Sequence, residues 1–255
     1  MKDTKTLAVI PARYASSRFP GKPLADIRGK SMLRRVWERT RRASRVDRVI
    51  VATDDERIFR AATNFGAEVI MTAPDHPSGT DRCAEVARRE GTAYDLVINV
   101  QGDEPFIRPE QIDAVLSVLA EQPDWNIATL RRSLNRTASI FDSNVVKVVS
   151  DHADRALYFS REPIPHLRGV AREDYPQHGQ HFQHVGLYAY RRETLLELTR
   201  LTPAPLELAE SLEQLRWLQA GYTIGVATTT LPSVGIDHPE DLERLLENWL
   251  PEYDR

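Results

Sequence analysis

Along the first hundred residues, apolar positions follow two periods. Runs of adjacent apolar side chains at 7–10, 48–52, 68–71 and 96–100 predict buried strands. Between them the spacing turns helical: Met32, Leu33, Val36 and Trp37 share one face of segment 31–42, and Ile58, Ala61 and Ala62 repeat the pattern before a C-capping Gly66. Strand and helix in alternation build an α/β fold, a parallel sheet covered on both faces. After residue 126 the pattern changes. Strand-like 126–130, 145–149 and 184–190 are separated by an irregular, proline-containing stretch at 163–183. This region, roughly 126–220, reads as a lobe added to the sheet within one domain spanning 1–255. A long helical pattern at 207–220, a strand at 223–228 and a last helix beginning at Pro239 complete the chain.

Ligands of such sheets collect at the carboxyl ends of the strands, where the segments 11–22, 53–55, 75–82 and 101–105 emerge. Four loops are therefore expected around one crevice. The bulk properties narrow what could enter it. With 34 Lys+Arg against 37 Asp+Glu the net charge is −3, which gives no strong field for nucleic acid or an anionic membrane. No apolar stretch approaches membrane-spanning length, and the run ending before Arg13 is too short for a signal sequence, so a cytoplasmic protein with a small substrate is expected. The single cysteine, Cys83, follows Asp81-Arg82 in a helical pattern and reads as a buried small hydrophobe.

The loop after the first strand carries Arg13, Arg18 and Lys22 within ten residues. Three cations so close repel one another on an idle loop, but suit a triphosphate that accepts guanidinium forks and an ammonium point charge. Lys22 is the candidate for stabilising charge on a transferring phosphoryl group. Neither G-x-G-x-x-G nor a Walker-type Gly-Lys-Ser/Thr is present, which removes the main support for dinucleotide oxidoreductase and P-loop readings. Asp103 stands at a strand end, a common Mg²⁺ position, and Asp237 is a second carboxylate that spacing leaves open between metal ligand and helix cap. The segment from Asp75 to Arg82 suits a base or ribose as well as a plain capped turn. The basic run from Arg34 to Arg45 reads as a solvated helix face.

These motifs together resemble one family. Ile10-Pro11-Ala12-Arg13 with Arg18 and Pro20-Gly21-Lys22-Pro23-Leu24, the segment 75–82, and Asn99-Val100-Gln101-Gly102-Asp103-Glu104-Pro105 are similar to the 3-deoxy-manno-octulosonate (Kdo) cytidylyltransferases. Further matches are Asn144-Val145-Val146-Lys147-Val148-Val149, Ala156-Leu157-Tyr158-Phe159-Ser160-Arg161, His184-Val185-Gly186-Leu187-Tyr188, Glu213-Gln214 and Gly235-Ile236-Asp237. The first-loop motif is shared with other sugar nucleotidyltransferases, and the second-half motifs are what narrow it to Kdo. The resemblance implies a Rossmann-like nucleotidyltransferase sheet with an inserted sugar-binding and dimerisation lobe, a homodimer, and the reaction CTP + Kdo → CMP-Kdo + pyrophosphate for lipopolysaccharide synthesis. It implies that Arg13, Arg18 and Lys22 grip the triphosphate, with Ser78, Gly79 and Arg82 on the nucleotide side. It assigns Mg²⁺ to Asp103 and Asp237, and the sugar-acid pocket to Gln101, Arg161, His184, Tyr188, Glu213 and Gln214. Two other readings stand beside it: the same reaction on 8-amino-Kdo or another sugar acid, and a non-catalytic nucleotide-binding regulator. Retention of Arg13, Lys22, Asp103 and Asp237 together argues against the regulator.

Overall fold

A computed structural model describes residues 4–15, 19–232, 235–250 and 253. In chain order the principal elements are β1 (Thr6–Ala12), α1 (Met32–Thr40), β2 (Arg48–Thr53), α2 (Glu56–Asn64), β3 (Glu68–Met71), α3 (Gly79–Arg89), β4 (Leu96–Asn99) and α4 (Pro109–Glu121). Then follow β5 (Ile127–Ser133), β6 (Lys147–Ser150), β7 (Ala156–Ser160), β8 (Phe182–Arg191), α5 (Arg192–Leu198), α6 (Pro205–Glu210), α7 (Gln214–Gln219), β9 (Ile224–Thr229) and α8 (Pro239–Glu247). The chain divides into two compact units: residues 1–113 with 232–255, and residues 114–231. No helix among the described residues is long and apolar enough to cross a membrane.

In the first unit the four expected strands pair in parallel in the order β4-β1-β2-β3. Leu7, Ala8, Val9 and Ile10 on β1 are fully buried, as a strand covered on both faces requires, and each large apolar side chain so buried contributes about 1.5–3 kcal/mol. Helices start where short polar side chains can take a free backbone N–H. Ser31 Oγ accepts from Arg34 N at 3.3 Å, Asp55 Oδ1 from Arg57 N at 2.9 Å, and Ser78 Oγ from Asp81 N at 3.2 Å. Met32, Leu33, Val36 and Trp37 point inward as their spacing predicts, and Cys83 is fully buried.

The basic run departs from its solvated reading. Arg35 and Arg39 are buried: the first donates Nε and Nη2 to Ile27 O at 3.0 and 2.7 Å, the second donates Nη2 to Tyr253 O at 2.8 Å and lies over the Phe106 ring. Their aliphatic stems cover apolar surface while the guanidinium groups satisfy main-chain carbonyls that helix packing would otherwise strand.

In the second unit β5 runs between antiparallel β8 and parallel β9, and the hairpin β6–β7 joins β8 through Lys147 opposite Gln183. Strand β7 is unanticipated as an element because Leu157 is 61 % exposed, which breaks the inward alternation. The irregular stretch 163–183 contains a 3-10 segment, Arg172–His178, over a small cluster of Leu134, Ile140 and Tyr175. The continuous helix expected at 207–220 is two helices. Ser211 adopts a left-handed conformation (φ 53°, ψ 48°) that ends α6, and α7 restarts after Glu213. Since α6 buries none of its residues, no packing gain opposes the break.

Candidate active site

The first unit assembles a cationic crevice from strand ends. Beyond β1, Gly21 takes a left-handed φ of 73° and its N–H donates to Tyr14 O at 2.9 Å. A Cβ at Gly21 would come within 3.1 Å of the Tyr14 ring, so glycine lets the loop close there. The turn delivers Lys22. Its Nζ donates to Asp103 Oδ2 and to Ile236 O, both at 2.9 Å, and lies 3.5 Å from Asp237 Oδ1.

Each partner of Lys22 is fixed separately. Gly102, just before Asp103, lies so near β1 that a Cβ there would meet Pro11 O at 2.9 Å. Ile236 is buried with Ile27, Met32, Phe106 and Leu245, and its N–H donates to Asp103 O at 3.1 Å. Asp241 Oδ2 accepts from both Asp237 N at 3.1 Å and His238 N at 2.9 Å. Asp241, not Asp237, therefore supplies the capping carboxylate at the start of α8, and the Asp237 side chain is within reach of Lys22. Two carboxylates around one ammonium make a donor set of the size Mg²⁺ takes, with phosphate and water oxygens completing its octahedron.

A cavity of about 380 Å³ opens beside these groups, lined among others by Arg13, Lys22, Ser78, Gly79, Gln101 and Asp103. Arg13 Nη2 is buried and has no hydrogen-bond partner among the described residues. Ser78 caps α3 and also donates Oγ–H to Asp81 Oδ2 at 2.6 Å. Arg82 is placed differently from its neighbours in the motif: fully buried, it bonds Thr72 through Nη1 and pairs with Asp54 Oδ1 at 3.1 Å through Nη2. Burial lowers its pKa from the usual guanidinium value, and the Arg13 charge adds to this, while Asp54 opposes it. Arg18 lies outside the described residues.

The second unit gathers a different set. His184 Nε2 meets Thr129 Oγ1 at 3.0 Å, and its ring packs on the edge of Phe159 and against Tyr188, with centroids 5.0 and 5.3 Å away. Thr129 donates its one hydroxyl proton to Leu187 O at 2.9 Å, so hydrogen-bond logic puts the His184 proton on Nε2 and leaves Nδ1 as an acceptor. Burial pushes the His184 pKa down to about 3, and it holds Tyr188 well above the ordinary phenol value with help from the Glu213 charge. Both groups are neutral at physiological pH. Tyr188 also meets Trp217 edge-on at 5.1 Å, and Gln214, one turn before Trp217 on α7, has a buried Nε2 without a partner among the described residues. Glu213 Oε1 accepts from Arg216 at 3.0 Å.

Arg161 stands at the end of β7. Its guanidinium donates Nε to Glu210 O at 2.6 Å, Nη1 to Ser143 O at 3.0 Å and Nη2 to Ser211 O at 3.4 Å. Three of its five N–H groups are thus used, and two remain. Sequence reasoning missed Thr129, Asp54 and Trp217. Thr129 and Trp217 look like ordinary strand and helix residues, and only Asp54, in the turn at 53–55, carried a signal.

The family model described as cytidylyltransferase matches residues 7–224. A Syntrophotalea carbinolica protein named 3-deoxy-manno-octulosonate cytidylyltransferase is 53 % identical over 241 residues, 93 % of this chain and 96 % of its own, and one of the same name from Cytophaga hutchinsonii is 49 % identical over 240 residues, 94 % and 95 %. Among solved structures, that of a CMP:2-keto-3-deoxy-manno-octonic acid synthetase complexed with CTP superposes with a TM-score of 0.89 at 42 % identity, covering 96 % of this chain and 98 % of that one.

Proposed function

Because this chain belongs to the cytidylyltransferase family, we propose that it transfers CMP from CTP to the anomeric hydroxyl of Kdo, releasing pyrophosphate and supplying CMP-Kdo for lipopolysaccharide synthesis. The observation that carries the reading is the convergence of Lys22, Asp103 and Asp237 beside the cavity that Arg13 also lines.

The anomeric oxygen attacks the α-phosphorus, the new P–O bond forms as the bond to the β-phosphate oxygen breaks, and the hydroxyl proton passes to solvent. Arg13 and Lys22 hold the phosphates, with Lys22 opposing the charge that develops on the leaving pyrophosphate. Ser78 and Gly79 bound the nucleotide side of the cavity. Arg18 belongs to the triphosphate grip on the resemblance alone. Arg82, buried on Thr72 and Asp54, shapes the nucleotide loop from within. Mg²⁺ held by Asp103 and Asp237, when bound, would screen phosphate charge and orient the reacting groups.

The sugar acid is read by His184, Tyr188, Glu213, Gln214 and Arg161 of the second unit, and Gln101, which lines the first unit's cavity, belongs to this set on the resemblance alone. A neutral His184 offers Nδ1 to a hydroxyl, Tyr188 and Gln214 offer donors, and the two free N–H groups of Arg161 suit a carboxylate. A homodimer fits the exposed Leu157 on β7 and Leu208 on α6, apolar groups on the second unit. A cytoplasmic location accords with substrates of this kind.

The test is pyrophosphate release from CTP and Mg²⁺ with Kdo, 8-amino-Kdo or sialic acid, each with and without EDTA. Release with Kdo that EDTA abolishes is expected. Preference for 8-amino-Kdo would keep the mechanism and change the substrate, whereas CTP binding without release on any acid would favour the regulator.

A further inference from the structure

Lys147 is fully buried at the start of β6, yet its hydrogen-bond partners are all main-chain carbonyls: Asp142 O at 3.0 Å, Val145 O at 2.7 Å and Arg161 O. Its three N–H donors are matched by three acceptors. Taking an ammonium out of water without a carboxylate in contact is unfavourable, so apolar packing alone gives no reason for a lysine here. What the charge does is tie chain segments together. Arg161 binds the same loop from the other side, through Ser143 O at 3.0 Å, and reaches the end of α6 through Glu210 O and Ser211 O. The Glu210 carboxylate closes the arrangement by accepting from Arg161 N at 2.8 Å and from Ser160 Oγ at 2.6 Å. Two cations thus clamp the loop 142–145, the end of β7 and the left-handed turn at Ser211. Glu213 and Gln214 follow that turn directly. Helix α6 buries no residue, so polar ties fix it: this clamp at its end, beside the Arg216 contact to Glu207 at 3.4 Å.

We propose that Lys147 is a positioning residue for sugar-acid recognition: it holds Arg161 so that its two remaining N–H groups face the sugar carboxylate, and through Arg161 it fixes the turn that delivers Glu213 and Gln214. The proposal rests on the reading of Arg161, Glu213 and Gln214 as sugar-acid contacts. Lys147 touches no substrate. Its effect is therefore carried by Arg161 and falls on one substrate only.

The experiment is two-substrate steady-state kinetics on wild type, Lys147→Met, Arg161→Ala and the double variant, with Kdo and CTP varied in turn. Lys147→Met is expected to raise KM for Kdo about tenfold and to leave kcat and KM for CTP within about twofold, because one buried cation–carbonyl set is lost in the sugar half alone. The double variant is expected to match Arg161→Ala within about twofold, since residues acting through one group do not add. An unchanged KM for Kdo in Lys147→Met, equal rises in both KM values, or multiplied effects in the double variant would overturn the proposal. If Lys147→Met does not fold, Glu210→Gln reads the same clamp from its other side, with the same selective rise expected and an unchanged KM for Kdo overturning it. A wild-type enzyme with no turnover on Kdo and CTP would instead sink the proposed function, and the two failures are told apart by that control.

Discussion

The crevice of the first unit and the polar cluster of the second handle charge in opposite ways. In the first, Arg13, Lys22 and Asp103 line an open cavity as full charges, with Asp237 in contact with Lys22. In the second, burial favours the neutral forms of His184 and Tyr188, and the cations Lys147 and Arg161 are bound to main-chain carbonyls. On the proposed function, the difference follows from what each unit binds. A triphosphate needs mobile charge compensation at low desolvation cost, while discrimination among sugar acids needs desolvated donors and acceptors that penalise a wrong hydroxyl pattern.

The comparison breaks most sharply at Lys22 and Asp103. Lys22→Ala and Asp103→Asn are each expected to lower kcat by about 100-fold or more, as for removal of a group that meets charge only in the transition state, measured by pyrophosphate release. Near-normal turnover in Lys22→Ala would refute its role. A smaller effect is expected in the other unit. Gln214→Leu is expected to raise KM for Kdo about tenfold with CTP affinity intact, since one buried hydrogen-bonding group is lost, and isothermal titration with each substrate would check it.

The mildest consequence concerns pH. The His184 imidazole has a folded pKa of about 3, below the ordinary value of about 6.5, so the unfolded chain binds the proton more readily between these two values. The stability linked to this group is fully present above about pH 6.5 and is lost as pH falls towards 3, with a slope of at most ~1.4 kcal/mol per pH unit. Denaturant midpoints of wild type and His184→Gln between pH 7 and 4 are expected to converge as the pH falls. Parallel lines would contradict a buried neutral imidazole.

The first unit was the more legible in sequence for a physical reason. Its inner strands β1, β2 and β4 are mostly buried and read as apolar runs, and its candidate site residues Arg13, Lys22 and Asp103 follow strands, where they stand out against apolar neighbours. The second unit hides its signals. Lys147 and Thr129 lie inside strands, the break at Ser211 depends on a left-handed residue other than glycine, and the clamp that fixes the turn uses backbone carbonyls that no side-chain pattern reports. Asp237 shows the remaining limit. Spacing could not tell whether Asp237 caps α8, because that depends on Asp241 taking both backbone N–H groups.

The central claim is that the nucleotide is handled by the first unit's charges and the sugar acid by the second unit's buried polar groups together with Arg161. Tyr188→Phe removes one hydroxyl from the second set, and two-substrate kinetics on this variant is the most direct test. The account predicts a KM for Kdo raised about tenfold with KM for CTP within about twofold of wild type. Equal rises in both, or a rise for CTP alone, would contradict it.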